Sequence, residues 1–489
     1  MKKSISTVSA LLMVACSLFA QNETDALRYS FLGFGGTARS SSMAGSFGAL
    51  GADFSCLSSN PAGLGVYRRS EISITPGFMN QNTTSVYANT SSTDGKVAGT
   101  FNNIGLVVAH NLQRERNHTG WKFIQFGIGM NRLADYTNQT TIAGTSTGSI
   151  MDQFRSNAVG VTPGNLDNFG NALAFNTYLI DTIQGSGGTN YSEAKNVGDQ
   201  VNHVETINSS GSYNEMAISM AGNFEDKFFL GGTLGIPFVN YNQNTSYVET
   251  AAPGNSSTFQ QLNYNQTLNT TGSGFNFKIG AIYKPMEFLR VGLAFHSKTW
   301  LSLSDAWSAN MTSQFSGADQ WKNSSAASPD GNYNYNITTP GRIIGSVGFI
   351  VGKMGAINVD YESVDYTQMN LSSADAGVFT DANTAIQKEF TRASIIRVGG
   401  EIKLRPMAIR LGYAYYQSPF NSTVSGDASR TSFTGGLGFR HKRLFADLAY
   451  VLTLSKTNYY MYDSAFMPEG PAVNTNSVSS IMVTLGVKL

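Results

Sequence analysis

The chain ends on a strict two-residue alternation. Ile481, Val483, Leu485, Val487 and Leu489 share one parity, and Met482, Thr484, Gly486 and Lys488 share the other. Successive side chains of a strand point to opposite faces, so this segment has one apolar face and one small or polar face. The same unit, about ten residues long, recurs along most of the chain. Ile396, Val398, Ile402 and Leu404 alternate with Arg397, Gly399, Glu401 and Lys403. Ile409, Leu411, Tyr413 and Tyr415 alternate with Arg410, Gly412 and Ala414, and Leu289, Val291, Leu293 and Phe295 with Arg290, Gly292, Ala294 and His296. A soluble sandwich buries its apolar faces in a shared core, whereas a wide barrel turns them to lipid and keeps charges in a wet lumen. Arg or Lys at mid-bilayer on the lipid face costs roughly 2 to 4 kcal/mol. Arg290, His296, Arg397, Glu401, Lys403 and Arg410 are therefore expected inside, as structural charge ladders or as contacts to a ligand.

About fourteen such segments follow one another from 68 to 489, an even number, as single-chain bacterial barrels require. Joints such as Glu225-Asp226-Lys227 and Lys284-Pro285-Met286 are short and suit periplasmic turns. Three long joints, 137–210, 303–340 and 368–391, are rich in Asn, Ser and Gly and are expected to face outward. Within the first, Phe154, Leu166, Phe169, Leu173, Phe175 and Leu179 have a mixed spacing that suits short helices over the barrel mouth. Composition agrees: 51 Gly, 30 Phe and 22 Tyr accompany only 13% charged residues, about half the share of an ordinary soluble domain. A net charge of +1 excludes the concentrated basic face that nucleic-acid binding needs.

The N-terminus reads as a removable export signal. Lys2 and Lys3 form its positive end and Ala10 to Phe19 its apolar core, with cleavage expected after Ala20. Cys16 follows a poor lipoprotein box, and Cys56 alone makes no internal disulfide. No other stretch approaches the ~20 apolar residues of a spanning helix. The expected organisation is an all-β, transmembrane antiparallel barrel: signal 1–20, a hatch (plug) of short helices and loops over 21–66, and a barrel with long extracellular loops over 67–489.

The hatch centres on Gly33 to Gly65 and ends in Asn60, Pro61, Ala62, Gly63 and Leu64. Asn and Pro suit a hinge into the first strand, because Pro fixes φ and Asn favours turns. Phe31, Leu32, Phe34, Met43, Phe47, Leu50 and Phe54 either line a ligand pocket or pack the hatch against the wall. Gly144-Thr145-Ser146-Thr147-Gly148 matches the G-x-S-x-G spacing but lies in a polar loop without the strand and helix that motif needs. Gly33-Phe34-Gly35-Gly36 lacks the rest of a dinucleotide fingerprint. The five histidines, His110, His118, His203, His296 and His441, show no metal-ligand spacing. No catalytic set, metal or cofactor is expected.

The motif from Gly36-Thr37-Ala38-Arg39-Ser40 through Met43-Ala44-Gly45-Ser46-Phe47 to Asn60-Pro61-Ala62-Gly63-Leu64 resembles the FadL-like outer-membrane transporters of long-chain fatty acids and, in the TodX branch, aromatic hydrocarbons. Arg290 to Ser297, Asp360-Tyr361-Glu362 and Arg410 to Pro419 extend the resemblance over most of the mature chain. It implies a fourteen-stranded barrel in the bacterial outer membrane, closed by an N-terminal hatch. It also implies passive uptake of apolar small molecules, with sideways exit into lipid through a kink in the third strand. In this sequence that strand is Trp121 to Tyr136, and Gly127 and Gly129 are the expected kink, unless they only relieve crowding. Leu489 departs from the terminal aromatic that such barrels commonly carry. Expected partners are the hydrophobic ligand, outer-membrane lipid and, through the C-terminal strand, the barrel-assembly machinery, with the chain a monomer. The alternatives are a barrel whose loops bind a protein partner and, further off, a haem receptor.

Overall fold

The computed structural model of the chain describes residues 21–114, 120–424 and 426–489. The expected export signal and His118 lie outside them. Fourteen antiparallel strands form the wall: β1 (Glu71–Tyr87), β2 (Thr90–Asn111), β3 (Trp121–Asp135, resumed at Asn138–Ser146), β4 (Val201–Phe224) and β5 (Phe228–Ala251). They continue as β6 (Phe259–Met286), β7 (Leu289–His296 and Thr299–Phe315), β8 (Gly331–Thr339 and Arg342–Val351), β9 (Gly355–Asp365) and β10 (Arg392–Leu404). Last come β11 (Met407–Tyr416), β12 (Arg430–His441), β13 (Leu444–Tyr459) and β14 (Ala472–Lys488). β14 pairs back onto β1, with Ile72 opposite Val487 and Phe78 opposite Ile481, and this closes the ring.

Burial is inverted relative to a soluble protein. Phe78, Ile279, Leu293, Leu411 and Ile481 are exposed, while Glu215, Asp360, Glu401, Arg410 and Asp447 are buried. Exposed apolar side chains on alternate positions of neighbouring strands make the outward belt that a bilayer requires. Among the described residues no helix is long and apolar enough to cross a membrane; the spanning elements are strands.

Several strands run on into joints read from the sequence as loops. β4 and β5 have 24 residues each and β6 has 28, roughly 80 Å or more at ~3.3 Å per residue, against a hydrocarbon core of about 30 Å. Much of 137–210 and 303–340 is thus paired strand, as in Asn138–Ser146 against Val201–Ser209 and Thr299–Trp307 against Gly331–Thr339. Their inward positions pack on a second core above the membrane. There Phe154 and Leu173, from α3 (Ile150–Ala158) and α4 (Asn171–Asn176), meet Tyr264, Phe259 and Met311. The Thr, Asn and Ser on the outer face of these strands make them read as loop. The third joint carries α5 (Thr380–Glu389).

Residues 21–70 fold inside the ring as a chain of short capped turns. α1 (Glu23–Ser30) has a capping box from Asn22 and Asp25, and α2 (Ala38–Ser41) is capped by Thr37. Two 3-10 turns, Phe54–Leu57 and Pro61–Val66, are capped by Asp53 and Asn60. Each cap satisfies N–H groups that so short a helix leaves open.

Candidate functional site

The Asn60–Leu64 motif meets the wall at glycines. Asn60, 1% exposed, accepts a hydrogen bond from the Ala62 N–H at 3.1 Å and donates from Nδ2 to the Gly48 carbonyl at 2.6 Å and the Ala281 carbonyl at 3.4 Å. A Cβ on Gly280 of β6 would lie 1.9 Å from Asn60 Oδ1, one on Gly231 of β5 2.4 Å from the Pro61 carbonyl, and one on Gly292 of β7 2.5 Å from the Gly48 carbonyl. Three adjacent strands thus offer bare backbone to the Asn60–Leu64 motif. The motif is a seated, capped turn, and its contacts hold it against the sheet.

Hydrogen bonds reach the hatch from around the ring. Thr484 on β14 accepts from the Ala38 N–H at 2.7 Å, and Thr434 on β12 donates to the Ser42 carbonyl at 2.9 Å. Asp360 on β9 accepts from the Phe47 and Gly48 N–H groups at 3.1 and 3.3 Å, and Gln125 on β3 donates to the Gly65 and Tyr67 carbonyls at 3.0 and 2.9 Å. Arg39 is held by Glu401 and donates to the Ala52 carbonyl. Burial works against its charge, but Glu401, Asp53 and Asp447 together outweigh this and the guanidinium stays above its ordinary range. Burial pushes the Cys56 thiol well up, so this cysteine is an inert packing residue.

The expected pocket residues divide. Met43 packs on Gly399, Leu50 near Gly348, and Phe54 on Gly105 and Gly129; with Phe47 they are buried against the wall. Phe31 lies under Arg430, 3.5 Å from guanidinium to ring centre, and edge-on to Tyr366 and Tyr416. Leu32 and Phe34 line open space. The polar set is spoken for. Arg290 donates to the Leu50 carbonyl at 2.6 Å and His296 Nε2 to the Ser59 carbonyl at 2.6 Å. Arg397 pairs with Glu362 at 2.8 Å, and Arg410 bridges Glu401 at 2.6 Å and Asp447 at 2.7 Å. Lys403 lies 3.4 Å from Glu401. These charges fasten the hatch and brace the lumen.

Gly127 and Gly129 are not a kink. The β3 ladder runs unbroken through them on both sides, with Gly127 opposite Val107 and Ser219, and Gly129 opposite Gly105 and Ala217. A Cβ on Gly127 would meet Leu57 at 2.9 Å and one on Gly129 would meet Phe54 at 2.5 Å, so both make room for the hatch. Irregularities lie on either side of them, one between Trp121 and Phe123 and one further along. The β3–β4 register shifts between Arg132 and Ala134, and strand structure lapses between Asp135 and Asn138.

From there β3 stays on β4 and parts from β2. The β2–β3 ladder ends at the rung Asn103–Asn131, where Asn103 Nδ2 donates to Asn131 Oδ1 at 2.8 Å and Asn131 Nδ2 to Ser58 Oγ at 2.9 Å. Beyond it, Thr90–Asn102 pairs with β1 alone and Asn138–Ser146 with β4 alone. The two sides meet again through side chains, with Asp94 accepting from the Thr141 N–H at 2.6 Å. The result is a window in the backbone ladder. A cavity of about 220 Å³ lies behind it, lined by Thr100 and Asn102 of β2, Arg132 to Asp135 of β3, and Met79, Val451 and Met482. The hatch crosses its inner side: the Gly33 N–H donates to the Leu133 carbonyl at 3.1 Å, and a Cβ on Gly35 would lie 1.8 Å from the Arg132 carbonyl. Gly33 to Gly35 also border a second, more polar lumen cavity with Glu215, Lys278, His296, Arg342 and Glu362.

Compared by sequence, the chain matches no protein-family profile and no curated protein. Compared by structure, it matches a FadL homologue from Pseudomonas aeruginosa over 94% of this chain and 99% of that one, at 12% identity and a TM-score of 0.54. The fold is that of the FadL-type barrels. The P. putida toluene transporter TodX matches over 93% of this chain and 99% of its own, at 11% identity and a TM-score of 0.54. The Ralstonia pickettii toluene transporter TbuX does so over 93% and 99%, at 14% identity and a TM-score of 0.50. The FadL-type resemblance read from the hatch motif is thus matched at the level of architecture. Sequence reasoning missed the Asn103–Asn131 rung and the residues of the window. The one available signal was the failing alternation after Asn131, where Arg132, Leu133, Ala134 and Asp135 follow no two-residue pattern.

Proposed function

We propose that this chain is an outer-membrane barrel for passive uptake of hydrophobic small molecules, with sideways release through the window between β2 and β3. The observation that carries this reading is the end of the β2–β3 ladder at Asn103–Asn131 over a cavity that Leu133, Met79, Val451 and Met482 help to line. An apolar ligand gains about 0.8 kcal/mol per buried CH₂, so a route whose exit opens at bilayer level spares it a return to water. The hatch segment Gly33–Gly35 stands between the two lumen cavities and is the barrier a ligand passes. The FadL homologue and the toluene transporters with which the chain shares its architecture support uptake as the general class; fatty acids and monoaromatics are the substrates to try first. Cells lacking the chain are expected to lose uptake of at least one compound in a panel of long-chain fatty acids and aromatic hydrocarbons, and to regain it on complementation. Unchanged uptake across the panel would sink the reading. The partner-binding alternative draws on the strand extensions and the exposed Trp321 and Val197 of the outer loops; co-purification of a stoichiometric protein from an otherwise uptake-neutral strain would favour it.

A further inference from the structure

At the short-turn end the hatch, β1 and β10 to β14 enclose a cleft of about 740 Å³. Its charge is lopsided. Eight Lys and Arg side chains line it against four Asp and Glu, in a chain whose totals are 33 and 32. The acids are already engaged. Glu401 and Asp447 serve Arg39, Arg410 and Arg440, Glu71 lies 3.8 Å from Lys488, and Asp53 accepts from the Thr37 hydroxyl. Three cations on the turns, Arg405, Lys442 and Arg443, have no carboxylate partner among the described residues. Low-dielectric walls around one sign of charge focus its field.

The same cleft also reaches the outside of the barrel. Met407 and Leu444, which line it, begin the outward apolar rows of β11 and β13 and are 45% and 62% exposed. A cleft with cations at the turns and apolar side chains running up the lipid face fits a head and a tail. We infer that it is a specific site for an anionic phospholipid of the leaflet at the short-turn end, with the phosphate among Arg405, Lys442 and Arg443 and an acyl chain along Met407 and Leu444. Zwitterionic lipid offers the same tail but brings its own ammonium to the cations. The inference does not depend on the uptake reading.

The test is native mass spectrometry of the full chain in an uncharged detergent, with phosphatidylglycerol or phosphatidylethanolamine of identical chains added. One phosphatidylglycerol is expected to be retained in preference. The variant Arg405→Ala/Lys442→Ala/Arg443→Ala, folded by its heat-dependent gel mobility, is expected to bind it on the order of 100-fold more weakly, since each basic residue near anionic lipid contributes about a factor of five. A second variant, Met407→Asn/Leu444→Asn, weakens both lipids and keeps the preference. Equal retention of the two lipids, undiminished retention in the triple variant, or displacement of phosphatidylglycerol by equimolar palmitate would each overturn the assignment.

Discussion

Asn60 makes three contacts with one side chain: it caps its own turn, reaches back to Gly48 and reaches out to Ala281. Asn60→Ala loses the cap, at a cost of ~1 kcal/mol, and leaves the two carbonyls without their donor. Hydrogen exchange at Ala62 to Val66 is therefore expected to rise several-fold, with the barrel ladder unaffected; unchanged protection would mean that glycine packing alone seats the turn. Gly280→Val attacks the same joint from the wall side, because its Cβ would collide with Asn60 Oδ1. It should displace the turn, exposing the hatch to protease in membranes where wild type resists. The role of Asn60 as a turn residue was legible from its type and from Pro61. Its outward bond to Ala281 was not, because a glycine in an alternating strand reads the same whether it faces water, a bulge or a neighbour's backbone. Gly127 and Gly129 failed as kink markers for that reason.

At the scale of elements, β3 is one strand at its base and a different one at its top. Below Asn131 it has partners on both sides; above, it keeps only β4. Ala134 lines the cavity at this change and is small enough to leave it open. Ala134→Trp is expected to reduce uptake of a transported apolar compound at least several-fold while gel mobility of the folded barrel stays normal; full uptake would place the route elsewhere. The fourteen strands were legible because lipid on one side and a polar lumen on the other impose strict alternation within the bilayer. Above the bilayer water bathes one face and a protein core fills the other, so Ile142, Tyr247, Phe259 and Tyr264, all buried, stand among Thr and Asn that carry no strand signature. The window was illegible for a related reason: a ladder that stops leaves no mark in composition.

For the molecule as a whole, a net charge of +1 conceals a lumen crowded with paired ions, one of which, Arg39–Glu401, ties hatch to wall. Replacing residues 22–66 by a short flexible linker leaves β1 to β14 their mutual pairing and frees the lumen charges to hydrate. The expected result in planar bilayers is a large, steady conductance where the complete chain shows little. Equal conductance in both would mean that the long strands and loops, rather than the hatch, close the lumen. The barrel and its inner element could be anticipated from alternation and the glycine-rich stretch. The closeness of their fit depends on wall glycines and hatch backbone carbonyls meeting across hundreds of residues.

The window also has the character of a vacant berth. Past Asn103–Asn131, Thr90–Asn102 and the upper part of β3 are not joined by a ladder, and unpaired strand edges accept other strands. Two of the backbone groups there are already claimed, the Leu133 carbonyl by Gly33 and the Thr141 N–H by Asp94. A short extended peptide with apolar side chains on its lipid-facing positions would find donors and acceptors on such an edge. Bound there it would act as a blocker addressed to backbone, which point mutation of the surrounding side chains could do little to evade.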